Sequence, residues 1–377
     1  MNLSTFGTIR KYLHQNPELS GSELATGVYI EEKVKSIWPN VRVERIDQNL
    51  IFTPRSDFST SKHIAFRCEL DALPIQETND FEHASKVQGV SHKCGHDGHM
   101  VILLRLAYLL KIKPLNDVTI SLIYQSAEEN GIGADQLVKK AKLFLENKPD
   151  YVFSLHNVPG YEKSAVVFKK GIFTPTVVSF KTLFFGKTSH AAEPEKGINP
   201  AFSIAEILLE IREKVENDNM FDSLTVAPIE MGLGKPAYGI SAGKGMIGFT
   251  IRSEKPEDVM SFTFWYEEFV AEKCKSANLK FETFWFEAFN SIINDESATD
   301  TIEESAQRCQ LQLIQKGTPF NWGEDFGLYT EFTKGAMFGL GAGINHAVLH
   351  SPEYDFPDEL IETGSDLFYE IAQSYNK

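Results

Sequence analysis

Short apolar runs alternate with amphipathic segments along the first 160 residues of the chain. The runs HIAFRCEL, DVTISLIYQ and YVFSLHN have the length and content of buried strands. Segments with apolar residues at helical spacing cover residues 22–38, before the first run, and residues 97–111 and 133–146, between the runs. We expect Ser22 to cap the first of these helices and Asp97 the second. Strands that alternate with helices predict an α/β fold with a mostly parallel, doubly wound sheet.

The pattern changes after about residue 174. Longer strand-like runs appear there, together with two long amphipathic segments at residues 199–217 and 257–277. This predicts a separate α+β module built on one antiparallel sheet, in which the alternating run FETFWFEAF packs against helices. Helix-rich α/β character resumes near residue 288. We therefore predict a metal-binding catalytic domain of residues 1–173 and 288–377, interrupted by an inserted lid domain of residues 174–287.

Composition restricts the partners. The 377-residue chain carries a formal charge of −15, which argues against nucleic acid or an anionic membrane as a standing partner. Its four cysteines include no CxxC pair, and the N-terminus has no apolar signal core. No run approaches the ~18 apolar residues of a membrane span. We expect a cytoplasmic protein in a reducing setting, where Cys94 is available as a thiolate ligand.

Metal-ligand side chains gather where predicted strands end. The stretches are CGHD (94–97), QSAEEN (125–130) and SLHN (154–157), and ligands of an open parallel sheet bind beyond the carboxyl ends of its strands. Cys94 and His96 alternate, so an extended backbone points both the same way. Glu128 and Glu129 are adjacent, so one can hold a metal while the other faces substrate or water. The distant stretch NHAVLHSPEYDF adds His346 and His350.

Thiolate, imidazole and carboxylate together suit zinc-like ions or manganese, with nickel or cobalt as alternatives. The candidates outnumber the ligands of one tetrahedral ion, which favours two divalent ions that share a bridging group. Two other functions stay open at this point. Cys94 and His96 would form the Cys–His pair of a thiol amidase or acyltransferase. A catalytically silent binding protein would keep the same fold.

Several motifs carry a family resemblance over almost the whole chain. They are LHQNPELSGSE, CELDALP, HKCGHDGHM, QSAEENGIGA, SLHN, GKTSHAAEP, GEDFG and LHSPEYDFPDE. In this order they resemble the amidohydrolase branch of the dinuclear metallopeptidases, which includes hippurate hydrolase-like, N-acyl-amino-acid hydrolase-like and auxin-conjugate-hydrolase-like enzymes. The resemblance implies a zinc-exopeptidase-like catalytic domain with an inserted lid.

The resemblance also implies roles for single residues. Glu128 would be the general base and later the acid, and Asp71 would orient a ligating histidine. His190 would reach the substrate carbonyl or its oxyanion, after lid closure or from a partner subunit. Arg252 would clamp the substrate carboxylate, with a surface ion pair as the alternative. The implied metal ligands, with Cys94 as the bridge, are Cys94, His96, Glu129, His156 and His350.

The chain departs from the family pattern at three places. Ser126 stands where proline is usual, Glu69 where many members have aspartate, and YGISAG (238–243) where many have Asn-Val-Ile-Pro. Other polar residues are interpreted as supporting groups. His92, His99 and His346 are expected not to bind metal, and His14, His63 and His83 to be structural. Glu324 and Asp325 are interpreted as charges at a helix N-terminus, with support of the site as the alternative.

The predicted activity is metal-dependent hydrolysis of N-acyl amino acids, such as N-acetyl or N-benzoyl derivatives, by a metal-bound water. A di- or aminopeptidase of the same fold is the nearest alternative. The exposed edge of the predicted lid sheet favours a homodimer through that domain, and a monomer is the alternative.

Overall fold

A computed structural model describes residues 3–54, 62–217 and 223–376, apart from the side chain of Glu287. The strands are β1 (Arg42–Ile46), β2 (Asn49–Thr53), β3 (Lys62–Glu69), β4 (Val118–Gln125), β5 (Tyr151–Pro159), β6 (Val166–Phe168), β7 (Gly171–Thr174), β8 (Thr176–Phe185), β9 (Ser189–His190), β10 (Thr225–Leu233), β11 (Ile240–Ser241), β12 (Lys244–Ser253), β13 (Lys280–Phe289), β14 (Ile292–Asn294), β15 (Leu313–Gln315) and β16 (Lys334–Gly343). The helices are α1 (Leu3–Gln15), α2 (Leu24–Ile37), α3 (His96–Ile112), α4 (Gly133–Lys140), α5 (Lys142–Leu145), α6 (Ala201–Asn217), α7 (Pro256–Ser276), α8 (Glu296–Arg308), α9 (Gly327–Phe332) and α10 (Leu360–Ser374).

The chain separates into two compact units. The first comprises Met1–Phe173, Ile292–Phe320 and Glu324–Lys377, and the second comprises Thr174–Ser291 and Asn321–Gly323. The return to the first unit falls a few residues beyond the predicted boundary at 287, because β13 continues to Phe289.

The first unit is built on an eight-stranded sheet with the order β1-β2-β4-β3-β5-β16-β6-β15. Its four central strands, β4, β3, β5 and β16, run parallel. The outer strands β1 and β2 are antiparallel, as is the pairing of β16 with β6. The central strands are apolar and buried on both faces, as a parallel sheet between helices requires. The predicted α/β class with its mostly parallel sheet is confirmed.

Helix α3 is buried over most of its length. Met100 to Ala107 are all at most 9% exposed, and all except Arg105 belong to the core cluster that also contains residues of α1, α2 and α10. The near-continuous apolar content of its sequence therefore reflects a position between the sheet and other helices.

Two predicted helix caps are wrong. Helix α2 starts at Leu24 after Glu23, and the Glu18 carboxylate accepts the free N–H groups of Ala25 and Thr26. Ser22 is therefore not needed as a cap, because the acceptor comes from the preceding turn.

Helix α3 starts at His96 after Gly95, and Asp97 lies inside its first turn. Gly95 has φ +97°, and a Cβ there would lie 2.2 Å from Asn157 Oδ1, so only glycine fits. The Asp97 carboxylate turns away from the helix end because Arg10 and His14 hold it. The predicted helix over 133–146 is also interrupted, since Ala141 is extended and separates α4 from α5.

The second unit contains a four-stranded antiparallel sheet with the order β10-β12-β8-β13. Its core joins the sheet to α6 and α7 through side chains such as Phe180, Ile207 and Phe262. Phe281 of β13 packs against this core as predicted. However, Phe284 and Phe286 are 49% and 43% exposed, because alternate residues of a strand point to opposite faces. The expectation that the whole aromatic run is core is wrong.

No helix in the described part of the chain is long and apolar enough to cross a membrane. All four cysteines are free thiols.

Candidate metal centre

Neighbouring parallel strands deliver the candidate ligands to one edge of the first unit's sheet. β3 ends just before Asp71, β4 ends just before Glu128 and Glu129, and β5 carries His156. These three strands are adjacent and parallel, so their carboxyl ends meet. The N-terminus of α3 brings His96 to the same edge, since ligand atoms of His96, Glu128 and Glu129 lie within 4.8 Å of one another.

Two groups of ligand atoms share the Cys94 thiol. Cys94, His96 and His156 form the first group, and Cys94, Glu129 and His350 form the second, with all ligand atoms of each group within 4.8 Å of one another. Cys94 Sγ lies 3.3 Å from His156 Nε2 and 3.4 Å from His350 Nε2. His350 Nε2 is 3.8 Å from Glu129 Oε1. The structure thus brings all five predicted ligands together around one thiol.

The imidazoles are oriented through their other ring nitrogens. His96 Nδ1 lies 2.9 Å from the carbonyl oxygen of Asp71, and His156 Nδ1 lies 2.8 Å from that of Asn157. Carbonyl oxygens only accept, so both rings carry the proton on Nδ1 and turn Nε2 towards the cluster. Among the described residues, His96 Nε2 and Glu129 Oε1 are buried atoms without a hydrogen-bond partner. Buried lone pairs aimed at a shared thiol fit a metal ion.

Asp71 connects two of these ligands. Its fully buried carboxylate accepts from Ser20 Oγ at 2.7 Å and from the Glu129 backbone N–H at 2.9 Å, and it lies 3.4 Å from His96 Nδ1. Burial opposes ionisation, but the His96 ring, the Glu129 N–H and the Ser20 hydroxyl lower the pKa of Asp71 below its usual value. Asp71 therefore stays a carboxylate, whose Oδ2 holds the backbone of Glu129, while its main-chain carbonyl orients the ring of His96.

Glu128 and Glu129 point to different parts of the cluster. Ala127 before them has φ +54°, a left-handed backbone that is uncommon outside glycine. The Glu128 carboxylate lies in a group with His96 and Glu129 and in another with Glu324 and Asp325. Burial, Glu324 and Glu129 raise the pKa of Glu128 well above its usual value. A nearby cation would lower it again, because an opposite charge favours the ionised form.

The charge around the site favours cations. Burial would lower the pKa of His96, but Asp71, Glu69 and Glu129 raise it to about 10. Burial and the Asp71 carboxylate raise the pKa of Glu129 to about 7, against the opposing effect of His96. Metal binding would therefore displace protons from the ligands. The residues fit a pair of divalent ions.

A buried ionic network lies beside the candidate site and was not predicted from the sequence. Arg67, inside β3, pairs with Glu69, with Glu324 at 2.8 Å and with Asp325 at 2.6 Å. Glu69 in turn binds His99 Nδ1 at 2.6 Å. Glu324 and Asp325 precede α9, as predicted, but their side chains lie in this network. The available signal was a lone arginine within an otherwise apolar strand run, which needs carboxylate partners when buried.

The remaining histidines of the first unit lie outside the ligand groups or at their margin. His14, expected to be structural, binds Asp97 at 2.8 Å and Glu77 at 3.1 Å. His346 Nε2 donates to the carbonyl oxygen of Asp355 at 2.7 Å. His99 could join Glu69 and His96 by distance, but its Nδ1 is engaged by Glu69, and its Nε2 accepts the Asn157 N–H at 3.3 Å.

His190 and Arg252 belong to the second unit. His190 lies on β9, which pairs with Ile240 and Ser241 of the divergent YGISAG stretch. Its Nδ1 accepts the Ala192 backbone N–H at 3.0 Å, so the neutral ring carries its proton on an exposed Nε2. Arg252 lies on β12 and donates to the carbonyl oxygen of Asn321 at 2.7 Å.

Comparison with known proteins places these features in a family. The model of peptidase family M20/M25/M40 matches residues 65–374. The chain is 32% identical to N-acetyl-L-cysteine deacetylase of Bacillus subtilis, covering 99% of this chain and 89% of that protein. It is 28% identical to hippurate hydrolase of Campylobacter jejuni, covering 99% and 97% of the two chains.

Solved structures show the same fold. A Bacillus subtilis protein described as a dinuclear metal-binding peptidase from the M20 family has a TM-score of 0.81 at 24% identity, over 99% of this chain and 98% of that chain. A putative aminohydrolase from Staphylococcus aureus has a TM-score of 0.86 at 22% identity, over 100% and 97% of the two chains.

Proposed function

Because this chain belongs to peptidase family M20/M25/M40, we propose that it hydrolyses the amide bond of N-acyl amino acids with two divalent cations. The observation that carries the proposal is the pair of ligand groups sharing Cys94, with the buried Glu128 carboxyl beside them. The names of the two relatives support the substrate class, since N-acetyl-L-cysteine and hippurate are both N-acyl amino acids.

In the proposed reaction, water adds to the amide carbonyl carbon, and the carbon–nitrogen bond then breaks to give a carboxylic acid and a free amine. Cys94, His96, Glu129, His156 and His350 would hold the cations, which supply Lewis-acid activation of the carbonyl and of water when bound. Glu128 accepts the proton of the attacking water and later donates it to the leaving nitrogen. Asp71 holds its two ligands in place throughout.

We assign the substrate contacts of the second unit to His190 and Arg252. An Nε2–H held by the Ala192 hydrogen bond would donate to the carbonyl oxygen as negative charge develops there. The Arg252 guanidinium would bind the substrate carboxylate in a bidentate manner. We propose that these residues act after lid closure or from the lid of a partner subunit.

A homodimer through the second unit is part of the proposal. The edge strand β10 exposes Ile229, Met231 and Leu233, which are 66%, 68% and 48% exposed. Exposed apolar edges favour pairing with another strand.

Zinc or manganese are the proposed ions, with nickel and cobalt as alternatives. A reducing compartment such as the cytoplasm would preserve the Cys94 thiolate, and no standing nucleic-acid or membrane partner is proposed.

The thiol amidase alternative is less well supported. Burial and the carboxylates of Glu129 and Glu128 raise the pKa of the Cys94 thiol well above its usual value. A nucleophilic cysteine needs a lowered pKa. The environment of Cys94 instead suits a thiol that is deprotonated by a metal.

The test is turnover of N-acetyl and N-benzoyl amino acids, their carboxamide analogues and plain dipeptides, together with metal analysis of the purified protein. We expect hydrolysis of the N-acyl amino acids, loss with a chelator, and recovery with zinc or manganese. The carboxamides should be poor substrates, because they lack the carboxylate that Arg252 would bind.

Other outcomes contradict the proposal in distinct ways. A preference for dipeptides would make the protein a di- or aminopeptidase. Activity that survives the chelator and disappears with iodoacetamide would point to Cys94 as a nucleophile. Metal binding without turnover of any tested substrate would favour a silent binding protein.

A further inference from the structure

The N-terminal motif LHQNPELSGSE (residues 13–23) ends beside the turn that carries Glu128 and Glu129. We call residues 126–134 the glutamate turn. Its main chain folds back on itself, because the N–H groups of Ile132 and Gly133 both donate to the carbonyl oxygen of Ala127. A Cβ at Gly133 would lie 1.7 Å from the carbonyl oxygen of Ser126, so the turn closes only with glycine there.

The first residues of the glutamate turn are held by side chains from other segments. The Ser126 N–H donates to Asn49 Oδ1 at 2.8 Å, and the Ala127 N–H donates to Glu23 Oε1 at 2.7 Å. These bonds are buried. A buried N–H without an acceptor is costly, so each acceptor helps to select the conformation that presents its donor.

The Glu23 carboxylate can accept the Ala127 N–H because it does not cap helix α2. A carboxylate before the first turn of a helix usually accepts that helix's own N–H groups. At α2 those groups belong to Ala25 and Thr26, and Glu18 accepts both of them. The Glu23 side chain makes no cap hydrogen bond, and its own N–H is fixed by Gln48 Oε1 at 2.6 Å. Glu23 is 0% exposed, so its carboxyl has a defined position.

The same motif reaches the site at a second point. Ser20 Oγ donates to Asp71 Oδ2, the oxygen that also accepts the Glu129 N–H. The motif therefore acts on both sides of Glu128. Glu23 accepts the N–H of Ala127 before it, and Ser20 binds the Asp71 carboxylate that accepts the N–H of Glu129 after it.

We propose that Glu23 is a positioning residue for Glu128 and Glu129, because it holds the Ala127 N–H and so maintains the left-handed backbone of Ala127. This backbone sets the directions in which the two following side chains leave the chain. Without the acceptor, Ala127 relaxes to the more common right-handed or extended conformations, and the base and the metal ligand are displaced together. The roles of the two glutamates rest on the proposed function.

The test compares Glu23→Ala with Glu23→Gln, which keeps an oxygen acceptor at nearly the same place. Hydrogen exchange of the Ala127 amide is measured by NMR in the metal-free protein, followed by metal titration and steady-state kinetics. In Glu23→Ala we expect the Ala127 amide to exchange about tenfold faster or more, with weaker metal binding and a kcat reduced by about tenfold or more. Glu23→Gln should restore all three.

Glu18→Ala is the matched control. It removes two hydrogen bonds from the start of the same helix and should lower the melting temperature. It should leave Ala127 exchange, metal binding and kcat unchanged, because Glu18 contacts no residue of the glutamate turn in its hydrogen bonds to Ala25 and Thr26.

Normal Ala127 exchange and normal metal binding in Glu23→Ala would overturn the inference, as would a Glu23→Gln protein as impaired as Glu23→Ala. If Glu23→Ala does not fold, Glu23→Asp replaces it, since its carboxylate falls short by one methylene and should give the same losses. Normal exchange in Glu23→Asp would then overturn the inference. The exchange measurement needs neither substrate nor metal, so a wild type without amidohydrolase activity rejects the proposed function alone.

Discussion

Two proposed metal ligands of the first unit, His96 and His156, are held very differently from His190 of the second unit. His96 and His156 are buried at 1% and 4% exposure, and each ring is oriented by a backbone carbonyl. His190 is exposed on a two-residue strand, and a single backbone N–H orients its ring. Binding a cation requires several atoms at fixed distances, whereas stabilising a developing charge requires one donor that arrives in the right tautomer.

The largest expected effect separates two adjacent residues of the first unit. Glu128→Gln should retain both metals and lower kcat by about three orders of magnitude, since an amide cannot accept the proton of water. Glu129→Gln should instead lose metal, because Glu129 lies in the ligand group with Cys94 and His350. Metal content and kcat of both variants provide the measurement. Near-normal turnover of Glu128→Gln would remove Glu128 from its proposed role.

A smaller effect is expected from the exposed histidine. His190→Ala should lower kcat by about a hundredfold, the usual loss for one oxyanion donor, with metal content unchanged. His190→Gln places an N–H donor near the position of Nε2 and should recover part of the rate. The measurements are kcat and bound metal for both variants and the wild type. A fall in bound metal would mean that His190 is a ligand, and the contrast between the two regions would disappear.

The smallest effect concerns stability rather than catalysis. Burial lowers the pKa of His14, but Asp97 and Glu77 overcome it and raise the pKa to about 9. A raised histidine pKa contributes stability that is complete below the unfolded value near 6.5 and is lost as the pH rises through about 9. In metal-free protein, the difference in unfolding free energy between wild type and His14→Gln should therefore shrink by up to about 3 kcal/mol between pH 6 and pH 10.

Urea denaturation at the two pH values measures this difference. His63→Gln is the control, because burial lowers the pKa of His63 to about 4, so its contribution to stability cannot fall as the pH rises from 6 to 10. A His14 difference that stays constant with pH would contradict the prediction, because it would show that the pKa of His14 is the same in the folded and unfolded protein.

The sequence predicted most of what local patterns determine. Apolar runs located the central strands, and the spacing in CGHD and AEE located side chains that the fold brings together. The partners of Arg67 were not predictable, because a buried ion pair depends on residues that are distant in sequence, such as Glu324 and Asp325. The cap of α2 was missed for the same reason, since its acceptor comes from Glu18. The roles of the ligands, His190 and Arg252 are still predictions.

The glycine before α3 has a consequence for engineering. There is no space for a methyl group between residue 95 and the Asn157 side chain, so the main chain before the helix packs directly against a polar side chain of β5. The Asn157 side chain also donates to the carbonyl oxygen of Cys94 at 3.1 Å, so the contact lies next to both Cys94 and His156. A designer who changes residues elsewhere should therefore keep Gly95 and Asn157 together, because their contact adjoins two of the proposed cation ligands.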